Sequence, residues 1–422
     1  MREDLPPSWD VAVVGAGAAG LFAAMLLARA GKRVAVLERN AESGKKLLQT
    51  GGGRCNLARD LPPREMADAF GVARRFVSPA FHAMPLSALR ETLAEAGIGT
   101  KTMPDGGVYP ASESAREVRD KLEEDAKRHG ARFFFSRRVK SILLDNFKAA
   151  SGVEPADGER IAARAVLLCG GGAARPATGS DGSLLGTVHA SGIPTVPFRP
   201  ALSPLPTREN RFFAIAGSSL ADARLWVEGA TKADGGTRGS LLFTKTGLSG
   251  PAALDLSAAV SQRVAETGGP AILRLRAEAN ADENIWRERL RAGGRTEGKT
   301  AVKNFLARTG LPKGFSEVLC AAAGVAGETA MAQLARTDAQ RLAEALGGLP
   351  VTCDGPEGNG IAMLSRGGIA REAVDAKTMA VKAISGLYAA GEMLDADGPT
   401  GGYNLFWAFA SAALAARSCA RR

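Results

Sequence analysis

Six residues, GAGAAG at positions 15–20, constrain this chain more than any other feature. They follow an apolar run, VAVV (11–14), and lead into LFAAMLLARA (21–30), so the pattern reads strand, glycine turn, helix. Gly15 permits the tight turn, Gly17 lets backbone N–H groups approach a diphosphate, and Gly20 lets the helix pack close to the sheet. The helix start offers free N–H donors and a positive dipole end to the same anion. Gly31 stops the helix, and a second buried-type strand, VAVL (34–37), ends at Glu38, 18 residues beyond Gly20. A carboxylate there accepts hydrogen bonds from ribose hydroxyls and repels a 2′-phosphate. The unit predicts a bound adenine dinucleotide and disfavours NADP at this position.

That motif alone does not separate FAD from NAD. Three other strings point to FAD. TGGGRCN (50–56) is a glycine loop with a basic and an amide side chain, suited to lie along a diphosphate and a flavin ring. AVLLCGGG (165–172) is a buried strand that ends in bare backbone. GLYAAGE (386–392) is a strand followed by a glycine and an acid, placed to bind a ribityl hydroxyl.

In order, GAGAAG, GGGRCN, LFTKTGLSGPA (242–252), GGI with KTM (367–379) and GLYAAGEMLDADGPTGGYNLFWA (386–408) resemble a bacterial flavoprotein family. Its named members are aminoacetone-oxidase-like and bile-acid-reductase-like FAD proteins, and the likeness covers nearly the whole chain. The resemblance implies an α/β fold with a discontinuous Rossmann-like FAD-binding domain, an inserted β-rich domain and a small helical domain. The expected boundaries are 1–193 and 356–422 for the FAD domain, 194–280 with a return at 348–355 for the β-rich domain, and 281–347 for the helical one. It also implies that the Gly398–Leu405 turn presents backbone N–H groups to the flavin pyrimidine edge. PTGGYN does precede an apolar helix, whose N-terminus stabilises negative charge on a reduced flavin.

The residues assigned to FAD are therefore Gly15, Ala16, Gly17, Ala18 and Gly20; Glu38, Arg39 and Lys46; Gly52, Gly53, Arg54, Cys55 and Asn56; Val139, Gly170 and Gly171; Gly391 and Glu392; and Gly401, Gly402, Tyr403, Asn404 and Leu405. No catalytic acid or base is assigned. Cys55 is read as a packed thiol, because no second cysteine stands near enough to make a redox pair. Tyr109 is read first as a packing residue, with proton donation near the flavin as the alternative. Lys245 is equally readable as an anion contact or a solvated side chain. His82, His129 and His189 lack ligand spacing and read as surface or packing residues, and no metal is expected.

Composition narrows the partners. The net charge is +10, but the basic residues are dispersed and aromatics are 5%, so neither a charge run nor a stacking platform predicts nucleic-acid binding. Five widely spaced cysteines without a CxxC pair fit a reducing compartment. The first ten residues lack an apolar signal core, and Leu405–Ala416 is too short to span a bilayer, so the expected location is cytoplasmic. Residues 195–350 contain no second GxGxxG, so any NAD(P)H must dock transiently. The expected activity is hydride exchange between flavin N5 and a small or medium organic substrate, with NAD(P)H or oxygen as redox partner. A flavin-carrying binding protein with a basic surface and little turnover is the alternative, and an NAD-dependent dehydrogenase the third reading.

Overall fold

The structure, a computed structural model, describes residues 9–229 and 236–421. The chain divides into two compact units, residues 1–199 with 364–422, and residues 200–363.

In the first unit the strand Trp9–Val14 (β1) leads through helix Ala18–Arg29 (α1) to the strand Val34–Leu37 (β2). β1 pairs in parallel with β2 on one side and with Ile161–Leu168 on the other. Arg132–Phe134 extends the sheet beyond β2, and Leu387–Ala389, from the far end of the chain, pairs in parallel with Ile161–Leu168. The antiparallel strands Val139–Leu144 and Ala150–Pro155 complete a seven-stranded sheet. The apolar runs VAVV and VAVL are buried along their whole length, the pattern of parallel strands covered on both faces.

Helix α1 packs against Ala115–Arg128 and against the last helix, Tyr403–Ala420. Ser114 caps the former by accepting a bond from Glu117 N, and Arg29 reaches the buried Asp125 carboxylate at 2.7 Å. The last helix is apolar on nearly every face because it lies within the core, with Phe409 4.9 Å from Phe22 between ring centres. No helix among the described residues is long and apolar enough to cross a membrane.

The second unit is built on a six-stranded antiparallel sheet, in the order Leu205–Pro206, Gly247–Ser249, Thr237–Phe243, Ser219–Val227, Ala271–Arg276 and Leu349–Cys353. Helices Glu283–Thr296, Val302–Arg308, Lys313–Ala322 and Arg336–Gly348 lie between the last two strands in sequence. Sheet and helices share one core, which includes Phe243, Trp286, Phe315 and Leu342. One element departs from the strand-rich reading of 194–280: residues Pro251–Thr267 form a helix of 17 residues. Gly250 supplies the left-handed turn before it and Pro251 sits in its first turn. Its buried stripe, Ala252, Leu256 and Val260, is spaced for a helix, but alanine and serine dilute the signal.

Candidate cofactor site of the first unit

Four parallel strands end at one edge of the first unit's sheet. The registers bring Val14, Leu37, Leu168 and Ala389 level, so the segments that follow them face the same crevice. Gly15 turns there with φ of 98°, and a β-carbon on it would stand 2.5 Å from Cys169 O. A β-carbon on Gly20 would run into Gly15 O, so helix and turn are in backbone contact. Gly17 caps α1, and nothing lies within 4 Å of where its β-carbon would be. Two glycines are thus required by the protein itself, while the third leaves open space over the helix N-terminus. Ala16 and Ala18 flank that space.

Glu38 ends β2 with 7% exposure. Its Oε2 accepts from Ala16 N at 2.8 Å, and its Oε1 accepts from Asn40 N at 2.9 Å and Asn40 Nδ2 at 2.7 Å. Three of about four carboxylate acceptor positions are engaged by the chain, which leaves one for a ribose hydroxyl. Arg137 N donates to Glu38 O and Ser136 N to Asn40 O, bringing the start of the Val139–Leu144 strand alongside, with Val139 buried. Arg39 reaches the same corner, but its guanidinium is committed to the protein: it pairs with Asp181 at 2.6 Å and donates to Gly179 O. Burial alone would push the Asp181 carboxyl up, but Arg39 and the Ser183 donors outweigh it and hold the group at about 2.

Beyond Leu168, Gly170 packs against Leu184 and Gly171 turns with φ of 74°. Gly391 turns with φ of 67°, and a β-carbon there would be 3.0 Å from Ala19 Cβ, so the last strand's exit meets the first turn of α1. Gly391 N donates to the buried Ser411 hydroxyl. Glu392 pairs with Lys46 at 2.7 Å and accepts from Ser365 N at 2.8 Å. Ser365 Oγ in turn accepts from Ala173 N and Ala174 N. Ser365, Asn40 and Asp181 organise the crevice, yet carry no motif that marks them in the sequence.

The GGGRCN loop lies beside the turn near the C-terminus. Gly51, Gly52 and Gly53 are all left-handed, with φ of 57°, 67° and 88°, and Cys55 follows at 64°, a costly conformation for a residue with a side chain. Cys55 is fully buried, and burial pushes its thiol up to about 12. It is a packed, protonated cysteine. Arg54 lies over the Tyr109 ring, 5.1 Å from its centre, and within 3.4 Å of Glu113. The Oδ1 of Asn56 is buried without a hydrogen-bond partner. A β-carbon on Gly402 would be 2.8 Å from that oxygen and 2.5 Å from Ala58 O, and one on Gly401 would be 3.4 Å from the Arg59 guanidinium. Gly402 caps the last helix, which begins at Tyr403. Asn404 accepts from Gly398 N and donates to Gly398 O and Pro399 O, so its side chain shapes the turn. Leu405 is half-buried in the helix's first turn.

The structure thus brings residues 15–20, 38–40, 50–56, 170–174 and 391–402 to one edge of one unit. Bare glycine backbone, an orphaned amide oxygen and an open helix N-terminus fit an extended dinucleotide that carries a ring system. Lys245 is an exposed residue of the second unit. His82, His129 and His189 bond to Ser78 O, Asp125 O and Thr195 Oγ1.

Residues 9–418 match the family described as HI0933-like protein Rossmann domain. A ribosomal RNA dihydrouridine synthase of Haemophilus influenzae is 28% identical over 97% of this chain and 98% of its own. A 3-dehydro-bile acid delta(4,6)-reductase of Clostridium scindens is 29% identical over 98% of this chain and 99% of its own. The expectation against a nucleic-acid partner finds no support in these relatives. Among solved structures, a 3-ketosteroid-delta4-(5alpha)-dehydrogenase from Rhodococcus jostii RHA1 aligns over 100% of this chain and 99% of its own, with a TM-score of 0.53 at 17% identity, a likeness of fold.

Proposed function

Because the chain belongs to the HI0933-like Rossmann-domain family and is an FAD-dependent oxidoreductase, we propose that it reduces a carbon–carbon double bond conjugated to a carbonyl, with NAD(P)H as hydride source. The names of its full-length relatives support this reading. Dihydrouridine and a reduced 3-keto bile acid differ greatly in size, yet both arise by saturating an alkene activated by a neighbouring carbonyl.

The observation that carries the proposal is the convergence of GAGAAG, GGGRCN and PTGGYN in one unit, with the unpaired Asn56 oxygen between the last two. When bound, FAD supplies a hydride at flavin N5. The chain's residues orient it. In this reading the N–H groups of Gly17 to Gly20 hold the diphosphate, Glu38 the ribose and Val139 the adenine edge. Lys46 and Glu392 face the ribityl chain, while residues 52–56 and 401–405 border the ring.

The test is anaerobic titration of the yellow protein with NADH and NADPH, followed by re-oxidation with a conjugated steroid ketone, a uridine-containing ribosomal RNA fragment, or oxygen. Re-oxidation by either conjugated carbonyl is the expected result. Flavin that only oxygen re-oxidises would point to an oxidase, and flavin that no donor reduces would point to a binding protein. The net charge of +10 favours including the RNA arm, since a basic surface attracts phosphates.

A further inference from the structure

Reducing a conjugated alkene requires a proton as well as a hydride. The thiol of Cys55 is sealed, and the three histidines are bonded on the surface. Of the chain's three tyrosines, Tyr388 and Tyr403 engage other groups. Tyr109 differs. It lies in the strand Gly107–Pro110, held between Thr100–Thr102 and Ala58–Arg59. Its ring is wedged so that β-carbons on Gly51 and Gly107 would meet its two edges at 3.4 and 3.0 Å, and Arg54 covers its face. The ring is therefore fixed, but its hydroxyl has no hydrogen-bond partner among the described residues and is not sealed from the surface. A fixed phenol with a free O–H, lying under a guanidinium and beside the bare Gly51 backbone, is placed to act as a hydrogen donor.

We propose that Tyr109 is the proton donor of the oxidative half-reaction, an inference that rests on the alkene-reduction reading above. The π bond is replaced by two C–H bonds. The carbon β to the carbonyl receives the hydride, which carries both electrons, from the reduced cofactor, and the α-carbon receives the proton from Tyr109 Oη. The phenolate left behind is held beside the Arg54 guanidinium until water returns a proton.

Tyr109→Phe keeps the ring, its packing and the Arg54 contact, and removes only the hydroxyl. The holoenzyme of this variant should carry FAD with the wild-type visible spectrum and be reduced by NAD(P)H at the wild-type rate. Its re-oxidation by the conjugated substrate should fall about 100-fold or more. The wild-type re-oxidation step should show a solvent deuterium isotope effect. A variant re-oxidised at the wild-type rate overturns the inference. So does a variant in which flavin content and both half-reactions fall together, because that is a packing role. Wild-type protein that no conjugated carbonyl re-oxidises overturns the function reading itself.

Discussion

Replacing Glu38 with alanine probes the crevice at its most loaded point. The carboxylate is usually assigned to ribose, but here it also holds the glycine turn, since it accepts from Ala16 N, Asn40 N and Asn40 Nδ2. Ala16 is fully buried, so in Glu38→Ala its N–H is stranded, whereas the half-buried Asn40 recovers part of its loss from water. A stranded buried donor costs about 1–3 kcal/mol, and the lost charge-assisted bonds bring the total to about 2–4 kcal/mol. At about 1–2 °C per kcal/mol for a chain of 422 residues, the melting point of the cofactor-free protein should drop by about 2–8 °C. Separately, loss of the ribose acceptor should weaken FAD binding about 10–100-fold. Glu38→Gln should rescue only in part, because its amide NH₂ must confront donors on one side, and it should fall between wild type and Glu38→Ala. The assays are calorimetry of the stripped protein and flavin titration by fluorescence quenching. Unchanged apo stability would refute the claim that Glu38 braces the turn, and unchanged FAD affinity would refute the ribose assignment.

Gly17→Ala should fold normally and lose FAD affinity, while Gly20→Ala should yield little folded protein, because only the latter's β-carbon meets backbone; circular dichroism with flavin titration separates them, and equal behaviour would contradict the division of roles. Asp181 is held at about 2 in the folded chain, below the ordinary carboxyl, so its contribution is present above about pH 4 and is lost as pH falls towards 2. Arg39→Met should therefore be less stable than wild type at pH 5–7, with the two denaturation midpoints converging near pH 2; parallel curves throughout would contradict it. With its thiol pushed up to about 12, Cys55 should resist a thiol reagent at pH 8 in the native protein, and all five cysteines should react after unfolding. A fast native thiol that disappears in Cys55→Ala would reopen a redox role.

The Rossmann half of this protein is legible because its physics is local. A buried strand, a glycine turn and an apolar helix occupy consecutive residues, and the acid at the end of the second strand follows within the same unit. The C-terminal half of the crevice is legible for a related reason: positive φ at Gly391, Gly401 and Gly402 demands glycine, so those positions show in the sequence. What did not show were residues whose roles come from tertiary neighbours. Ser365 accepts from two backbone N–H groups nearly 200 positions earlier, and no local pattern encodes that. Arg39 stands next to Glu38 in sequence, but only the fold puts Asp181 within its reach. Tyr109 shows how a packing role and a chemical one coexist, since its ring is walled in and its hydroxyl left unbonded. The helix Pro251–Thr267 was hidden by composition, because alanine and serine blur the stripe that leucine would have made plain.

Saturation of a conjugated alkene in the flavin crevice is measured by product analysis under nitrogen. Protein reduced with one equivalent of NADPH is mixed with a conjugated enone steroid or a uridine-containing RNA, and the mass of the organic product is followed with the flavin absorbance. The oxidised flavin bands should return as the substrate gains two hydrogens. Flavin that stays reduced until air is admitted, with substrate unchanged, would contradict it.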